Sequence, residues 1–432
     1  MLIIKNQKIF VNTNYKKTIS NDYQEDYFNV INKILWWRIE MKKITEFQKF
    51  IIVLILIPFV FYAQGKKKSD KKEQYEFTMI YQVKTTPVKN QAKTGTCWSF
   101  ATTSFIESEL IRMGKGEHIL SPMWNVRFTY PKKAQNYIRY NGLTNFGMGG
   151  QAHDVMNVIR EYGLVPEEVY KGMNINEGEH NHGEMDAVLK SIVDAVSKKK
   201  GGKITPVWQK VIESTLDIYL GVPPKEFNYK GKNYTPKSFA DSLGFNPDDY
   251  IELTSFTHHP FYTKFDLEIP DNWSKDLYYN VPIDDLMKIM DYALEHGYSI
   301  AWDGDVSEKS FDKKKCIAVI PADSSEESEE EKNNSDEDKN AVPVKEKTIT
   351  QEMRQETFDN QTTTDDHLMH IVGLAKDQNG TKFYYTKNSW GTKNKKYNGY
   401  WYMSESYARL KVIAIMVHKD AIPQDIKIKL GL

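Results

Sequence analysis

Cysteine is almost missing from this chain, which has only Cys97 and Cys316 among its 432 residues. Two cysteines form at most one disulfide, so a disulfide-rich scaffold is excluded. An excess of charge of one sign is missing too, because 58 Lys and Arg balance 58 Asp and Glu. Without a net basic field, neither nucleic acid nor an anionic membrane is expected as the main partner. The fold must depend on its core, and the function must lie in a local site.

Apolar and aromatic residues, by contrast, are abundant. Hydrophobic residues make up 40% of the chain and aromatic residues 13%. This content is ample for a substantial core in one large domain or in two ordinary ones.

The segment that begins at Met41 has the layout of a secretory signal. Two lysines follow Met41, an apolar run of 12 residues extends from Phe50 to Phe61, and a small residue stands at Ala63. This order is typical of a cleaved signal peptide, whereas a transmembrane helix needs about 20 apolar residues. We predict a signal peptide over residues 41–63, secretion or export to the periplasm, and no stable membrane span. An uncleaved anchor and a buried core helix are the alternatives.

The position of this signal divides the rest of the chain. Signals belong at the amino terminus, so residues 1–40 are interpreted as a mis-called extension and Met41 as the true start. Residues 64–76 are basic and are predicted to form a mobile linker. Residues 77–432 are predicted to form the folded domain.

One segment of that domain, residues 322–350, has the composition of a disordered insertion. It carries nine acidic residues between Asp323 and Asp338, and it has too few apolar residues to offset the entropy of ordering it. A calcium site is the alternative, but the glycine-containing loop spacing of such sites is absent. Histidines cluster at His180–Glu184 and Thr257–Pro260, but neighbouring loop histidines are commonly just solvated. No metal and no cofactor is predicted.

Cys97 lies where a helix is predicted to begin. Apolar residues from Trp98 to Met113 recur close to a helical period, and Gly114 marks the end of the pattern. The first turn of a helix favours an anion, which would lower the pKa of the thiol. Gln91, six residues upstream, has a side-chain amide that can donate to an oxyanion. From this context alone, Cys97 is either a nucleophile or a small buried hydrophobe.

Partners for a nucleophilic cysteine occur in the carboxyl-terminal third of the chain. The segment HLMHIVGL predicts a buried strand, TKFYYTKNSW its neighbour, and GYWYMS a third strand. An antiparallel pair of the first two would place a histidine beside Asn388. A thiolate needs such an imidazole, with a third group to orient the ring.

These motifs together resemble papain-like cysteine peptidases of the bleomycin hydrolase and aminopeptidase C branch. The matching segments are PVKNQAKTGTCWSFA, GGQAHDVMNVIREYGLVPEEVY, KNSWG and NGYWYMS, and the similarity runs from about Thr86 to Ile428. The resemblance implies an α+β, papain-like fold of two lobes with added helices. Its helical left domain would span about residues 77–245, and its β-barrel-like right domain about residues 246–432.

The resemblance also implies the roles of individual residues. Cys97 would be the nucleophile, Asn388 the group that orients the histidine, and Gln91 the oxyanion donor together with the Cys97 amide. The residues implied to line the substrate cleft or to shield the site from water are Gly149, Gly150 and Trp390.

Two histidines compete for the catalytic role. His367 and His370 are three residues apart, so they point to opposite faces of a strand. His367 stands five residues before Val372, as the family's histidine does before its valine, and is assigned as catalytic. His370 is interpreted as a packed histidine, hydrogen-bonded on the far side of the barrel, with catalysis as its alternative role.

The implied activity is hydrolysis of peptide bonds through a thioester, as in a bleomycin hydrolase-type aminopeptidase. The chain departs from papain relatives at Thr94, where secreted members have a disulfide cysteine. It also stops at Leu432, where the branch's carboxyl-terminal arm would continue, so a papain-like endopeptidase is the first alternative. A catalytically silent, peptide-binding relative is the second. Peptides are the expected partners, a homo-oligomer is left open, and Cys316 is interpreted as an ordinary strand residue.

Overall fold

A computed structural model describes residues 74–175, 178–322 and 343–432, together with Lys33 and a short hairpin near the amino terminus. The hairpin pairs β1 (Ile4–Lys5) with β2 (Lys8–Ile9) and belongs to a unit that spans Met1–Lys72. The predicted signal peptide lies outside the described residues. No helix in the described part of the chain is long and apolar enough to cross a membrane. All that follows concerns the second unit, Glu73–Leu432.

The first half of this unit is mainly helical. Ser121 caps its second helix by accepting from Trp124 N–H, with Pro122 in the first turn, and Thr235 caps its sixth helix in a reciprocal capping box with Ser238. The elements are β3 (Phe77–Gln82), α1 (Cys97–Arg112), α2 (Pro122–Arg139), α3 (Ala152–Tyr162), α4 (Gly183–Ser197), α5 (Val207–Leu220), β4 (Phe227–Tyr229), β5 (Lys232–Tyr234) and α6 (Pro236–Leu243).

The second half combines strands with four helices. Its elements are β6 (Tyr250–Thr254), β7 (Lys264–Asp266), β8 (Leu277–Asn280), α7 (Ile283–Glu295), β9 (Ile300–Gly304), β10 (Phe311–Asp312), β11 (Ile317–Ala318), α8 (Gln351–Asp359), β12 (His367–Asp377), β13 (Lys382–Lys387), β14 (Tyr400–Ser404), α9 (Glu405–Lys411), β15 (Val412–His418) and α10 (Gln424–Leu430). Most strands join one mixed sheet in the order β10-β11-β14-β13-β12-β9-β15-β6-β8-β7, and β3 pairs with β12. The predicted α+β class is confirmed.

Helix α1 lies between the two halves. It packs against α2 and α3 on one side and against β12 and β9 on the other. Its residues from Cys97 to Leu110 are all buried, as expected of a helix covered all round. The amino end of α1 is therefore brought to the amino end of β12, where His367 lies.

The three strands predicted in the carboxyl-terminal third are confirmed, and their register aligns the site. In antiparallel pairing, His367 of β12 lies opposite Gly304 of β9, and His370 lies opposite Lys387 at the end of β13. Asn388 follows β13 directly. The hairpin of β12 and β13 thus places Asn388 at the end of β12 that carries the two histidines.

Three boundaries differ from the sequence prediction. Strand β3 belongs to the large sheet, so the helical half begins after it and not at residue 77. Tyr75, in the predicted linker, is buried against Phe383 because its ring can join the sheet's aromatic cluster. Residues 343–350 were predicted to be disordered, yet Glu346 pairs with Pro321 and Ile349 is buried. Apolar contacts at this end of the segment offset the cost of ordering it.

Cys316 also differs from its predicted place in a strand. It ends the turn between β10 and β11 with a φ of 56°, in the left-handed region. Its side chain is fully buried and its thiol is free.

Candidate active site

The loop before α1 is held by its own hydrogen bonds. The Thr94 hydroxyl donates to the Gln91 carbonyl oxygen at 3.0 Å and also bonds to the Thr96 hydroxyl at 2.6 Å. Thr94 thus fastens the loop at the position where the resemblance to secreted papain-like peptidases would lead one to expect a disulfide cysteine. Cys97 follows as the first residue of α1, with its side chain free and 8% exposed.

Gln91 is buried beside this loop, and its amide is fixed in orientation. Its Nε2 donates to the Thr94 carbonyl oxygen at 2.8 Å, and its Oε1 accepts from the Ser389 hydroxyl. Its backbone N–H donates to the Ser389 carbonyl oxygen at 2.8 Å. One hydrogen of Nε2 is left for another acceptor, as an oxyanion donor requires.

His367 and Asn388 meet as predicted from the strand pairing. His367 Nε2 and Asn388 Oδ1 are 2.8 Å apart, and both side chains are buried. The Trp390 ring lies over the imidazole with the ring centroids 4.7 Å apart. Burial lowers the pKa of His367 to about 4, although the Asn388 bond opposes this shift. Because Asn388 holds Nε2, Nδ1 is the ring nitrogen left for a reaction.

His370 lies on the face of β12 opposite to His367, as predicted. It does not lie on the far side of the barrel, which was the other part of the prediction. Its Nδ1 is 2.9 Å from the Ser104 hydroxyl of α1, and its ring meets Phe105 edge-on. The buried Lys387 ammonium donates to the same Ser104 hydroxyl at 2.8 Å. The prediction erred because α1 covers this face of the sheet, so that His370 is packed in the interface between the two halves.

Gly149 and Gly150 face side chains of the protein itself, and Gly150 lies against the ring of Trp98, the residue after Cys97. A Cβ at Gly149 would lie 1.9 Å from Asp271 Oδ2, and one at Gly150 would lie 2.8 Å from Asp154 Oδ2. Trp98, adjacent to Cys97, donates from Nε1 to the Met148 carbonyl oxygen at 2.9 Å, which ties this loop to α1. A role in substrate binding stays a prediction.

Carboxyl groups surround this side of Cys97. Asp271 lies in the loop between β7 and β8, Asp303 in β9, and Asp365 two residues before His367. Burial raises the pKa of Asp365 to about 7, and the nearby charge of Asp271 adds to the shift. Burial and the Asp365 carboxyl together hold the pKa of Asp303 well above its usual range.

The electrostatic setting of Cys97 reverses the sequence prediction of a lowered pKa. Burial, and then the charges of Asp303, Asp271 and Asp365, raise the pKa of the thiol to about 12, although a hydrogen bond with the Leu368 backbone opposes this shift. Desolvation and the nearby carboxylates act against the anion that the first turn of a helix favours. Burial therefore shifts the pKa of Cys97 upward and the pKa of His367 downward, which in both cases favours the uncharged form.

One of the two histidine clusters has a ligand-like arrangement. Ligand atoms of His258, His259 and Glu268 lie within 4.8 Å of one another, a spacing that could hold a metal ion. The same groups also satisfy each other, because the Glu268 carboxylate bonds to His258 at 3.0 Å and to His259 at 2.8 Å. Gln355 Nε2 lies 3.1 Å from His258 Nδ1, so that ring accepts there and directs its Nε2 hydrogen toward Glu268.

The three carboxylates beside Cys97 were missed in the sequence analysis. They lie on separate elements, so no spacing along the chain links them. One signal was present in the segment SIAWDG, where Asp303 interrupts an otherwise apolar strand. An unexplained carboxylate at a buried strand position favours a functional site.

Comparisons with known proteins agree with this geometry. The profile of the Peptidase C1-like family matches residues 137–431, and that of the Papain family cysteine protease matches residues 73–200. Aminopeptidase G of Lactobacillus delbrueckii subsp. lactis is 24% identical over 383 residues, covering 78% of this chain and 82% of the relative. Bleomycin hydrolase of Homo sapiens is 22% identical over 411 residues, covering 84% of this chain and 86% of the relative.

Among solved structures, the fold is similar to that of pepw from Lactobacillus rhamnosis. The TM-score is 0.63 at 19% sequence identity, and the match covers 82% of this chain and 84% of the other. At this identity the match supports the fold alone. It extends across both the helical half and the sheet.

Proposed function

The chain belongs to the Peptidase C1-like family, and from this premise we propose that it is a cysteine aminopeptidase. It would release residues from the amino end of peptides through a thioester on Cys97. The observation that carries the proposal is the 2.8 Å contact of His367 Nε2 with Asn388 Oδ1, beneath Trp390 and beside the amino end of α1. Relatives named as aminopeptidases G and C and as bleomycin hydrolase support the choice of an aminopeptidase.

The acylation step uses groups already in position. His367 takes the proton of the Cys97 thiol, and the thiolate attacks the carbonyl carbon of the peptide bond. The oxyanion accepts hydrogen bonds from Gln91 Nε2 and the Cys97 backbone N–H, which α1 leaves unpaired in its first turn. His367 then gives its proton to the leaving amine as the C–N bond breaks.

Deacylation reverses these roles. Water attacks the thioester carbonyl while His367 accepts its proton, and the oxyanion occupies the same two donors. Collapse releases the carboxylic acid, and the proton returns to the Cys97 sulfur. Asn388 acts throughout by orienting the imidazole, and the Trp390 ring excludes water from their contact.

The test is a comparison of fluorogenic substrates with free and blocked amino groups. The wild-type protein should hydrolyse alanyl-aminomethylcoumarin, and Cys97→Ala should lower kcat/KM by about 10,000-fold or more. If the two proteins hydrolyse the substrates alike, the peptidase proposal is wrong. If only the acetylated peptides are cut, the protein is an endopeptidase.

We also propose export through the signal that begins at Met41, with cleavage after Ala63. The basic, apolar and small residues in that order support it. Amino-terminal sequencing of the mature protein tests it, and a mature chain that still contains Phe50–Phe61 would contradict it. Light scattering coupled to size-exclusion chromatography tests whether the mature protein forms a homo-oligomer.

A further inference from the structure

Asp271 occupies part of the predicted substrate cleft. Its Oδ2 lies where a side chain of Gly149 would begin, at 1.9 Å from an ideal Cβ. Among the described residues the only donor to its carboxylate is Asn145 Nδ2, which bonds to Oδ1 at 2.8 Å. One carboxylate oxygen is therefore presented to the cleft without a hydrogen-bond donor from the described chain.

The loop that carries Asp271 is fastened to the helical half. Trp273 Nε1 donates to Asp154 Oδ2 at 3.0 Å, and Asn136 Nδ2 donates to the Trp273 carbonyl oxygen at 2.8 Å. Asn272 Nδ2 donates to the carbonyl oxygens of Leu267 and Asp276 in the same loop and to Asp266 Oδ1 at the end of β7. Asp271 thus has a fixed position beside Gly149.

Two further carboxyl groups lie behind Asp271, and one of them has no well-placed donor in the described chain. Asp303 is 3% exposed, and no described donor reaches its carboxylate oxygens with ordinary hydrogen-bond geometry, although the Gln151 amide and the Asp365 carboxyl group both interact with it. It faces the carboxyl group of Asp365, whose charge raises the pKa of Asp303, so the pair resists carrying two negative charges unless a cation is present. Asp365 itself accepts from Gln151 Nε2 at 3.1 Å.

The cationic groups nearby do not balance this charge. Lys133 interacts with Asp271 and Asp365, but it also interacts with Asp154 and Asp186, and its ammonium donates to the carbonyl oxygens of Gly147 and Gly149. His153 is paired with Glu252 at 2.7 Å. Burying carboxylates without matched cations is costly, so a cationic ligand would relieve the site.

We propose that Asp271, with Asp303 and Asp365 behind it, binds the free α-ammonium group of the peptide substrate. This proposal rests on the proposed aminopeptidase function and names the residues that select the substrate's amino end. An ammonium group supplies three hydrogen-bond donors and one positive charge, and it would favour the ionised form of these carboxyl groups. Because Asp271 fills the space beside Gly149, a chain that continued past this point would collide with it.

The same charge would act on the nucleophile. The carboxylates disfavour the Cys97 thiolate, and a bound ammonium offsets their field. Substrates with a free amine would therefore promote thiolate formation as they bind. Blocked substrates would lose both the contact and this activation.

The test compares Asp271→Asn with wild type and with the matched control Asp276→Asn. Asp276 lies in the same loop but bonds to Ser274 and Asn157. The substrates are alanyl-, acetyl-alanyl- and acetyl-lysyl-alanyl-aminomethylcoumarin, which separate a free α-amine from a basic side chain. We expect Asp271→Asn to lower kcat/KM for the free-amine substrate by about 10- to 100-fold, the range of a lost charge-assisted contact.

The outcomes separate this proposal from the peptidase function. Alkylation of Cys97 by iodoacetamide and an unchanged melting temperature would show that the Asp271→Asn site is intact. If wild type is active and Asp271→Asn keeps its preference for the free amine, the α-ammonium proposal is wrong. It is also wrong if the variant's loss is confined to the acetyl-lysyl substrate. If wild type hydrolyses none of the substrates, the peptidase proposal itself fails.

Discussion

The two sides of Cys97 differ in how their polar groups are satisfied. On one side, Gln91 is bonded to Thr94 and Ser389, and His367 is bonded to Asn388. On the other side, Asp303 is buried, and no described donor reaches its carboxylate oxygens with ordinary hydrogen-bond geometry. The first side, called the neutral side below, carries no carboxylate, and its amide and imidazole groups are fixed in orientation before substrate arrives, which suits groups that must be preorganised for chemistry. The second side, called the acidic side below, consists of Asp271, Asp303 and Asp365. It carries negative charge and lacks hydrogen-bond donors, which suits recognition of a cation from outside the protein.

The largest effect on activity is expected from replacing one of the two histidines by alanine. Because the two side chains lie on opposite faces of β12, the comparison shows which face contributes to catalysis. His367→Ala should lower kcat by about 1,000-fold or more, since the proton acceptor and donor is lost. His370→Ala should keep most of the activity. Its cost should instead appear as about 1–3 kcal/mol of lost stability, because Ser104 and Lys387 lose a buried neighbour.

Steady-state kinetics and urea unfolding of both variants measure these effects. An inactive but stable His370→Ala, together with an active His367→Ala, would reverse the assignment of the two faces. Alkylation of Cys97 in each variant controls for damage to the nucleophile.

The next largest effect tests whether the neutral side stabilises the transition state. Gln91→Ala removes the side-chain donor and should lower kcat by about 100- to 1,000-fold with little change in KM. The matched control is Gln378→Ala, because Gln378 is an exposed glutamine at the turn after β12. A change confined to KM would mean that Gln91 binds the substrate in its ground state and does not act as an oxyanion donor.

The smallest effect concerns the stability cost of the acidic side. Burial, and then the charge of Asp271, raises the pKa of Asp365 from 3.8 to about 7. The folded state therefore holds its proton more tightly than the unfolded state, so this residue's contribution to stability falls as pH rises from about 4 to about 7. Asp365→Asn should raise the melting temperature by a few degrees at pH 8 and by much less at pH 4.

Thermal denaturation at the two pH values measures this effect, with Asp276→Asn as the control. A lower melting temperature for Asp365→Asn at pH 8 would mean that the carboxylate is already compensated within the protein. The acidic side would then need no ligand.

The neutral side could be predicted from sequence because its residues lie in contiguous patterns. The helical period after Cys97 and the strand pattern around His367 and Asn388 can each be read from a short segment. The three residues can then be connected because a nucleophilic thiol needs an imidazole and a group that orients the ring. The acidic side could not be predicted in the same way. Asp271, Asp303 and Asp365 meet only through the packing of a loop, a strand and a strand end, and the helix-dipole argument for Cys97 ignored their charge.

The boundaries of the two halves show the same limit. Strand β3 precedes the helices in sequence but pairs with β12, nearly 300 residues later, and only the sheet register reveals this. His370 was assigned to the correct face of its strand relative to His367. What covers that face is decided by where α1 packs.

The hydrogen bonds of the Thr94 hydroxyl determine how the loop before α1 should respond to reducing agents. The loop that positions Cys97 is closed by the Thr94 and Thr96 hydroxyls and not by a disulfide, and both cysteines are free thiols. Reducing agents therefore have no bond to break in this loop. They should only keep the Cys97 sulfur in the thiol state, so the folding of this loop does not depend on forming or breaking a disulfide.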